Sequence, residues 1–192
     1  MADRLKALCV YCGSNVGIRD VYAAAADDLG RVLAEKGIGL VYGGAAKGLM
    51  GRLADAVLAA GGEVQGVIPH ALMDKEIAHP ELTKLHVVDT MHARKALMAE
   101  LSDGFIGLPG GFGTLEETIE IVTWAQLKIH DKPCGLLNVQ GFFTHLLAYL
   151  DHAETEGFLK TEHRRMLVVE EQPAALIERF EGYRAPTVEK WM

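Results

Sequence analysis

Asp103-Gly104-Phe105-Ile106-Gly107-Leu108-Pro109-Gly110-Gly111-Phe112-Gly113-Thr114-Leu115-Glu116-Glu117 sets an apolar run, a glycine turn, a cap residue and carboxylates in direct succession. Phe105 to Leu108 is short, apolar and bounded by Asp103-Gly104 and Pro109, which reads as a buried strand. The glycines permit positive φ and close approach of a ligand to the main chain. Thr114 can N-cap the helix that follows. The apolar positions Leu115, Ile119, Val122, Trp124, Leu127 and Ile129 nearly encircle that helix, so it is expected to be mostly buried. Its free N–H groups and positive dipole end would face the space above the strand, where an anion is the expected guest.

Two better-known phosphate loops do not fit. Reading Gly111-x-Gly113 as the start of G-x-G-x-x-G puts Glu116 where the third glycine belongs, and that glycine is needed for close helix packing. Gly43 and Gly48 have P-loop separation, but Leu49-Met50 stands where Lys-Ser/Thr should be. Neither an NAD site nor a Walker-type ATP site follows.

Outward from this stretch the chain alternates strand and helix. Strands are predicted at Ala7–Tyr11, Ile38–Tyr42, Val64–Ile68, Lys84–Val88, the Phe105 run, Cys134–Asn138 and Met166–Val169. Helices are predicted near 21–36, 49–60, 92–101, 142–156 and 174–181, besides the one opened by Thr114, and His70 to Pro80 reads as irregular. This order implies an α/β fold, a Rossmann-like doubly wound parallel sheet with helices on both faces. A single domain over residues 1–182 is expected, followed by a C-terminal tail at 183–192, because 192 residues at 49% apolar composition fill one core and not two. In such sheets ligands bind beyond the carboxyl ends of the strands. Gly13-Ser14, Gly43-Gly44 and Pro109-Gly110-Gly111 all fall at such ends, so three loops are expected on one rim.

The formal charge of −7 and a pI near 5.6 argue against a nucleic-acid partner, which needs clustered Lys and Arg. No apolar run is long enough to span a bilayer and no signal-like segment opens the chain; a cytoplasmic protein is expected. Three cysteines fit a reducing compartment. Cys9 and Cys12 form a C-x-x-C, but on a strand residues three apart point to opposite faces, so they read as buried small hydrophobes. The eight histidines form no H-E-x-x-H and no Cys/His cluster, so no metal is expected, and no G-x-S-x-G elbow is present.

Arg94 and Lys95 open a helix, where two cations oppose the macrodipole. A bound phosphate or a carboxylate from the next loop would offset that repulsion; alternatively both side chains extend into water. Glu117 also has two readings. Thr114-x-x-Glu117 is a capping box, in which the carboxylate returns to the cap residue's N–H. Equally, an acid beside a glycine turn and two cations is placed for general-base work or for stabilising an oxocarbenium ion. Glu76 by itself reads as a solvated surface acid, and Thr123 as a hydroxyl bonded back to the preceding turn.

Pro109-Gly110-Gly111-x-Gly113-Thr114-x-x-Glu117 resembles the PGGxGTxxE signature of the LOG ("Lonely Guy") family of cytokinin riboside 5′-monophosphate phosphoribohydrolases. Tyr11-Cys12-Gly13-Ser14, Tyr42-Gly43-Gly44, Gly48-Leu49-Met50-Gly51, Met91-His92-Ala93-Arg94-Lys95 and Trp124-Ala125-Gln126-Leu127 extend the resemblance over most of the chain. The resemblance implies a homodimer that hydrolyses the N-glycosidic bond of an adenine-type nucleoside monophosphate, with no cofactor. Position by position it implies Arg94 and Glu117 as the catalytic pair. Glu76, Lys95, the loop Gly110, Gly111, Phe112, Gly113, Thr114, Leu115 and Glu116, and Thr123 are implied as substrate contacts, joined by Gly13, Ser14, Gly43 and Gly44 on the rim. Members of the family are often labelled lysine decarboxylases, but no lysine here has a convincing pyridoxal-phosphate context. Two alternatives remain: a non-catalytic nucleotide or molybdenum-cofactor-type carrier on the same fold, and a nucleosidase for other nucleoside monophosphates. Ala45 departs from the family, which commonly has glycine there; strain is expected if that position needs positive φ.

Overall fold

Seven apolar runs become seven strands in the computed structural model, which describes residues 5–73 and 77–188. They are β1 (Ala7–Tyr11), β2 (Gly39–Tyr42), β3 (Val64–Pro69), β4 (Lys84–Val88), β5 (Phe105–Gly107), β6 (Cys134–Leu137) and β7 (Leu167–Glu170). All pair in parallel in the order β4-β3-β2-β1-β5-β6-β7. The order reverses between β1 and β5, so the chain leaves a crevice at the carboxyl ends of those two strands.

The helices are α1 (Asp20–Glu35), α2 (Gly48–Ala59), α3 (Met91–Glu100), α4 (Phe112–Gln126), α5 (Thr144–Thr155), α6 (Thr161–Arg164) and α7 (Pro173–Glu181). Strand alternation divides the core between the two faces of the sheet. Leu8, Val10, Leu40 and Tyr42 join α1, α2 and α7 on one side. Cys9, Tyr11, Val41 and Phe105 join Met98 of α3 and Ile121 and Ala125 of α4 on the other. A smaller cluster seats α5 through Leu146, Leu147 and Leu150 on Leu136, Phe143 and Leu167.

Cys9 and Cys12 fall in opposite clusters, as strand geometry requires, and all three cysteines are free and buried. Burial pushes the Cys134 thiol up to about 12, so it stays protonated at neutral pH. The short helix α6 was not legible in the sequence, being a single turn without apolar periodicity. The supposedly irregular stretch after β3 contains a 3-10 turn at His70–Leu72, and Ala78 forms an isolated antiparallel bridge with Ala45. Beyond α7 the chain is irregular but held: Lys128 Nζ donates to Pro186 O, and His163 Nε2 to Val188 O at 3.3 Å. Among the described residues no helix is long and apolar enough to cross a membrane.

Candidate functional site

The loops after β1 and β5 are bonded to one another at the strand-order reversal. Leu108 N donates to Tyr11 O at 2.8 Å, and Gly13 N donates to Pro109 O at 3.0 Å. The start of α2 joins them through Leu49 N to Gly13 O at 3.0 Å. A cleft of about 240 Å³ opens beside this junction, lined by the Gly13–Gly17 and Pro109–Gly111 backbones with Tyr22, Leu49 and Phe142 as walls. Two of the three expected rim loops therefore meet at this cleft, joined by Leu49 at the start of α2, while Gly43 and Gly44 do not line it; Tyr22 and Phe142 are additions that no local pattern marked, because each comes from a different part of the chain.

The glycines of the β5–α4 turn have separate tasks. A Cβ on Gly110 would overlap the Thr114 side chain, so that glycine lets the turn close on the helix. Around Gly111 and Gly113 an added Cβ would meet nothing within 4 Å. Neither has positive φ, so among the described residues no contact or backbone conformation demands glycine there.

Helix α4 begins earlier than the sequence suggests. Gly111, in extended conformation, is the N-cap, Leu115 N donates to Gly111 O at 3.0 Å, and Thr114 is the third helical residue, 6% exposed. Glu117 is then the sixth helical residue, one turn beyond any capping-box position. The capping-box reading is therefore corrected: the glycine turn supplies the extended residue itself. The expected burial of α4 is corrected too. Thr114, Thr118, Ile121 and Ala125 are buried, whereas Leu115, Leu127 and Ile129 are exposed and Ile119 and Val122 half-buried. Phe112 lies almost wholly in solvent.

Arg94 and Lys95 do not extend into water. Thr90 caps α3 by accepting from Ala93 N at 3.1 Å, which makes the pair its fourth and fifth residues, only 4% and 8% exposed. The Arg94 Nη2 donates to Gly43 O at 2.9 Å. A Cβ at residue 43 would overlap the guanidinium, so Gly43 admits Arg94 to the rim. Lys95 Nζ lies 2.6 Å from Glu116 Oε1 and 2.9 Å from Glu120 Oε2. Burial by itself lowers the Lys95 pKa, but the bonds and charges of Glu116 and Glu120 outweigh it, and the pKa is raised. The offsetting carboxylates thus come from α4. Glu120 was missed, although a second acid four residues after Glu116 was a readable sign of a shared cation.

Arg94 and Glu117 act electrostatically on the same atom. Burial raises the Cys9 thiol pKa; Glu117 adds to the rise and Arg94 opposes it. Burial likewise raises Tyr11 and Cys12, with Glu117 reinforcing both. Both charges are thus within electrostatic reach of the β1 thiol, with opposite sign.

One expected contact is not brought to this rim, and another cannot be placed. Glu76 lies outside the described residues. Thr123 is twelve residues along α4 from its cap, ~18 Å at 1.5 Å per residue, and its hydroxyl donates to Ile119 O at 2.7 Å. It lines a different cleft of about 120 Å³ with Ile119, Val122, Gln126, Leu150 and His163. Ser14, Gly13, Gly43 and Gly44 sit on the rim. Ala45 is not among the residues with positive φ; it is buried, bridged to Ala78 and bonded through its carbonyl to Tyr42 Oη at 3.2 Å. No strain arises from having alanine there.

Fold and rim define the class: an open parallel α/β protein of Rossmann-like type, with a helix N-terminus at the reversal of strand order and a buried arginine bonded to the loop after the neighbouring β2. Solved structures share the fold. A molybdenum cofactor binding protein from Rippkaea orientalis superposes with TM-score 0.70 at 21% identity, covering 94% of this chain and 98% of that one. The molybdenum cofactor carrier protein of Chlamydomonas reinhardtii gives 0.69 at 19% identity, covering 94% and 100%. A protein-family model described as "possible lysine decarboxylase" matches residues 50–180. Cytokinin riboside 5′-monophosphate phosphoribohydrolase LOG5 of Arabidopsis thaliana is 49% identical over 182 residues, 95% of this chain and 80% of that protein. The LOG enzyme of Oryza sativa subsp. japonica is 47% identical over 94% of this chain and 75% of its own length. This chain belongs to the LOG family.

Proposed function

We propose that the protein hydrolyses the N-glycosidic bond of adenosine 5′-monophosphates, N6-substituted ones included, releasing the free base and ribose 5-phosphate. Support for this reading comes from Glu117 in the second turn of α4, behind an open, glycine-lined N-terminus, from Arg94 buried against the Gly43 carbonyl, and from 49% identity to a named phosphoribohydrolase. The 5′-phosphate is held by the first amides of α4, over Gly111 and Gly113. That anchors C1′ beside Glu117. As the C1′–N bond breaks, its electron pair leaves with the base nitrogen, which takes up a proton. The carboxylate stabilises the oxocarbenium character at C1′ and accepts a proton from the water that adds there. Arg94, fixed by the Gly43 carbonyl, orients the carboxylate or the sugar.

Incubating the purified protein with a panel of nucleoside 5′-monophosphates and measuring released base tests this directly. Arg94→Ala and Glu117→Ala are each expected to abolish release. Glu117→Gln is expected to fold with stability within about 1 kcal/mol of the parent yet lose turnover, since no helix cap depends on it. Full turnover in these variants would overturn the assignment, and nucleotide binding without base release would point to a carrier.

We further propose that the protein acts as a homodimer through the outer face of α4. Leu115 is exposed on it, Leu127 and Ile129 are exposed just past its last residue, and half-buried Ile119 and Val122 lead into the cleft with Thr123. Thr123 lies too far along the helix to reach its own rim; as a substrate contact it would serve the site of a second copy.

A further inference from the structure

Lys95 follows Arg94 on α3, and Glu116 precedes Glu117 on α4, so each helix carries one residue of the proposed catalytic pair beside one residue of an ion cluster. Lys95 Nζ reaches Glu116 at 2.6 Å and Glu120 at 2.9 Å, with the lysine side chain only 10% exposed. Glu116 and Glu120 stand four apart on one helix, where like charges repel unless a cation lies between them. The cluster sums to one positive and two negative charges. A phosphate brought to it meets net negative charge, whereas the α4 amides and Arg94 are attractive groups among the described residues.

We infer that Lys95 is a positioning residue, and that with Glu116 and Glu120 it forms a strut fixing α3 against α4 so that Arg94 is held in register with Glu117. A single ion pair lets two helices pivot. Two anchors separated by about 6 Å along α4 fix both the spacing and the axial register. Burial of the ammonium makes the strut costly to break, because a lost partner leaves a desolvated charge behind. Glu120 lies outside the family signature, so its involvement separates a strut from a substrate contact. The inference rests on the reading that Arg94 and Glu117 act on the nucleotide.

The test compares Lys95→Met, Glu120→Gln, their double variant and Arg94→Ala by steady-state base release from AMP, with circular dichroism as the check of folding. Lys95→Met and Glu120→Gln are each expected to lower kcat about tenfold or more with KM changed less than about twofold. The double variant is expected to be no worse than Lys95→Met alone, as members of one unit are non-additive. If Lys95→Met fails to fold, Glu120→Gln carries the comparison. Parental kcat in Glu120→Gln overturns the strut, as does a rise in KM confined to Lys95→Met. Full activity in Arg94→Ala would instead sink the catalytic reading beneath it.

Discussion

Gly113 is the second residue of α4, and nothing among the described residues requires it to be glycine. Its backbone is not left-handed and an added Cβ would meet no atom within 4 Å. In a helix the Cβ leans toward the N-terminus, which here is the proposed phosphate position. Gly113→Ala is therefore expected to raise stability by up to about 1 kcal/mol while raising KM for AMP about tenfold. Thermal melts and steady-state kinetics on one preparation check both halves, and an unchanged KM would remove the phosphate from this turn. Residue identity made the turn legible, and with it Arg94-Lys95 and Glu117. It left open whether Glu117 was cap or acid, because a capping box and a PGGxGTxxE signature share the same letters. Only the helix start at Phe112 separates them.

At the scale of the element, α4 has a buried stripe of Thr114, Thr118, Ile121 and Ala125 and an outward apolar one. The apolar letters all round this helix suggested burial by the domain's own core, since periodicity cannot say which neighbour covers a face. A charge placed on the outward stripe discriminates. Leu127→Glu is expected to turn a dimer into a monomer in sedimentation velocity at micromolar protein, with the fold intact, because Leu127 is 39% exposed in the single chain. A monomer before substitution would refute the dimer. Strands were easier to locate than helix ends: β1 and β4 coincide with their apolar runs, while α4 starts two residues before Thr114, at a cap formed by a glycine turn instead of a Thr side chain.

For the whole molecule, acid is the condition that exposes how the fold is tied together. His130 bridges α4 and the approach to β6: Nε2 donates to Ile121 O at 3.0 Å and Nδ1 accepts from Lys132 N at 3.1 Å. Burial lowers its pKa, the Ile121 bond partly opposes that and Lys132 adds to it. Burial and then Lys84 lower the pKa of His86. Both folded-state values lie below the ordinary 6.5, so on acidification the unfolded chain takes up protons first. Their contribution is fully present above about pH 6.5 and is lost as pH falls toward the folded-state values. The melting temperature is expected to decline below that point, less steeply in His130→Gln. A profile flat down to about pH 5 would contradict this linkage.

The sequence alone determined the alternating strands and helices, hence a doubly wound parallel sheet, the three glycine loops at strand ends, and the arginine and carboxylate proposed for the chemistry. Those follow from short-range rules of periodicity, turn composition and capping, which a chain carries in its local order. Tertiary structure decided who partners whom. Residues 43 and 94 meet across fifty positions because a missing side chain leaves room for a guanidinium. Lys95 is engaged by α4 carboxylates, Thr123 is turned away from its own rim, and one face of α4 is left uncovered. Such choices depend on how burial, charge and volume are shared between distant segments, and local sequence does not contain that information.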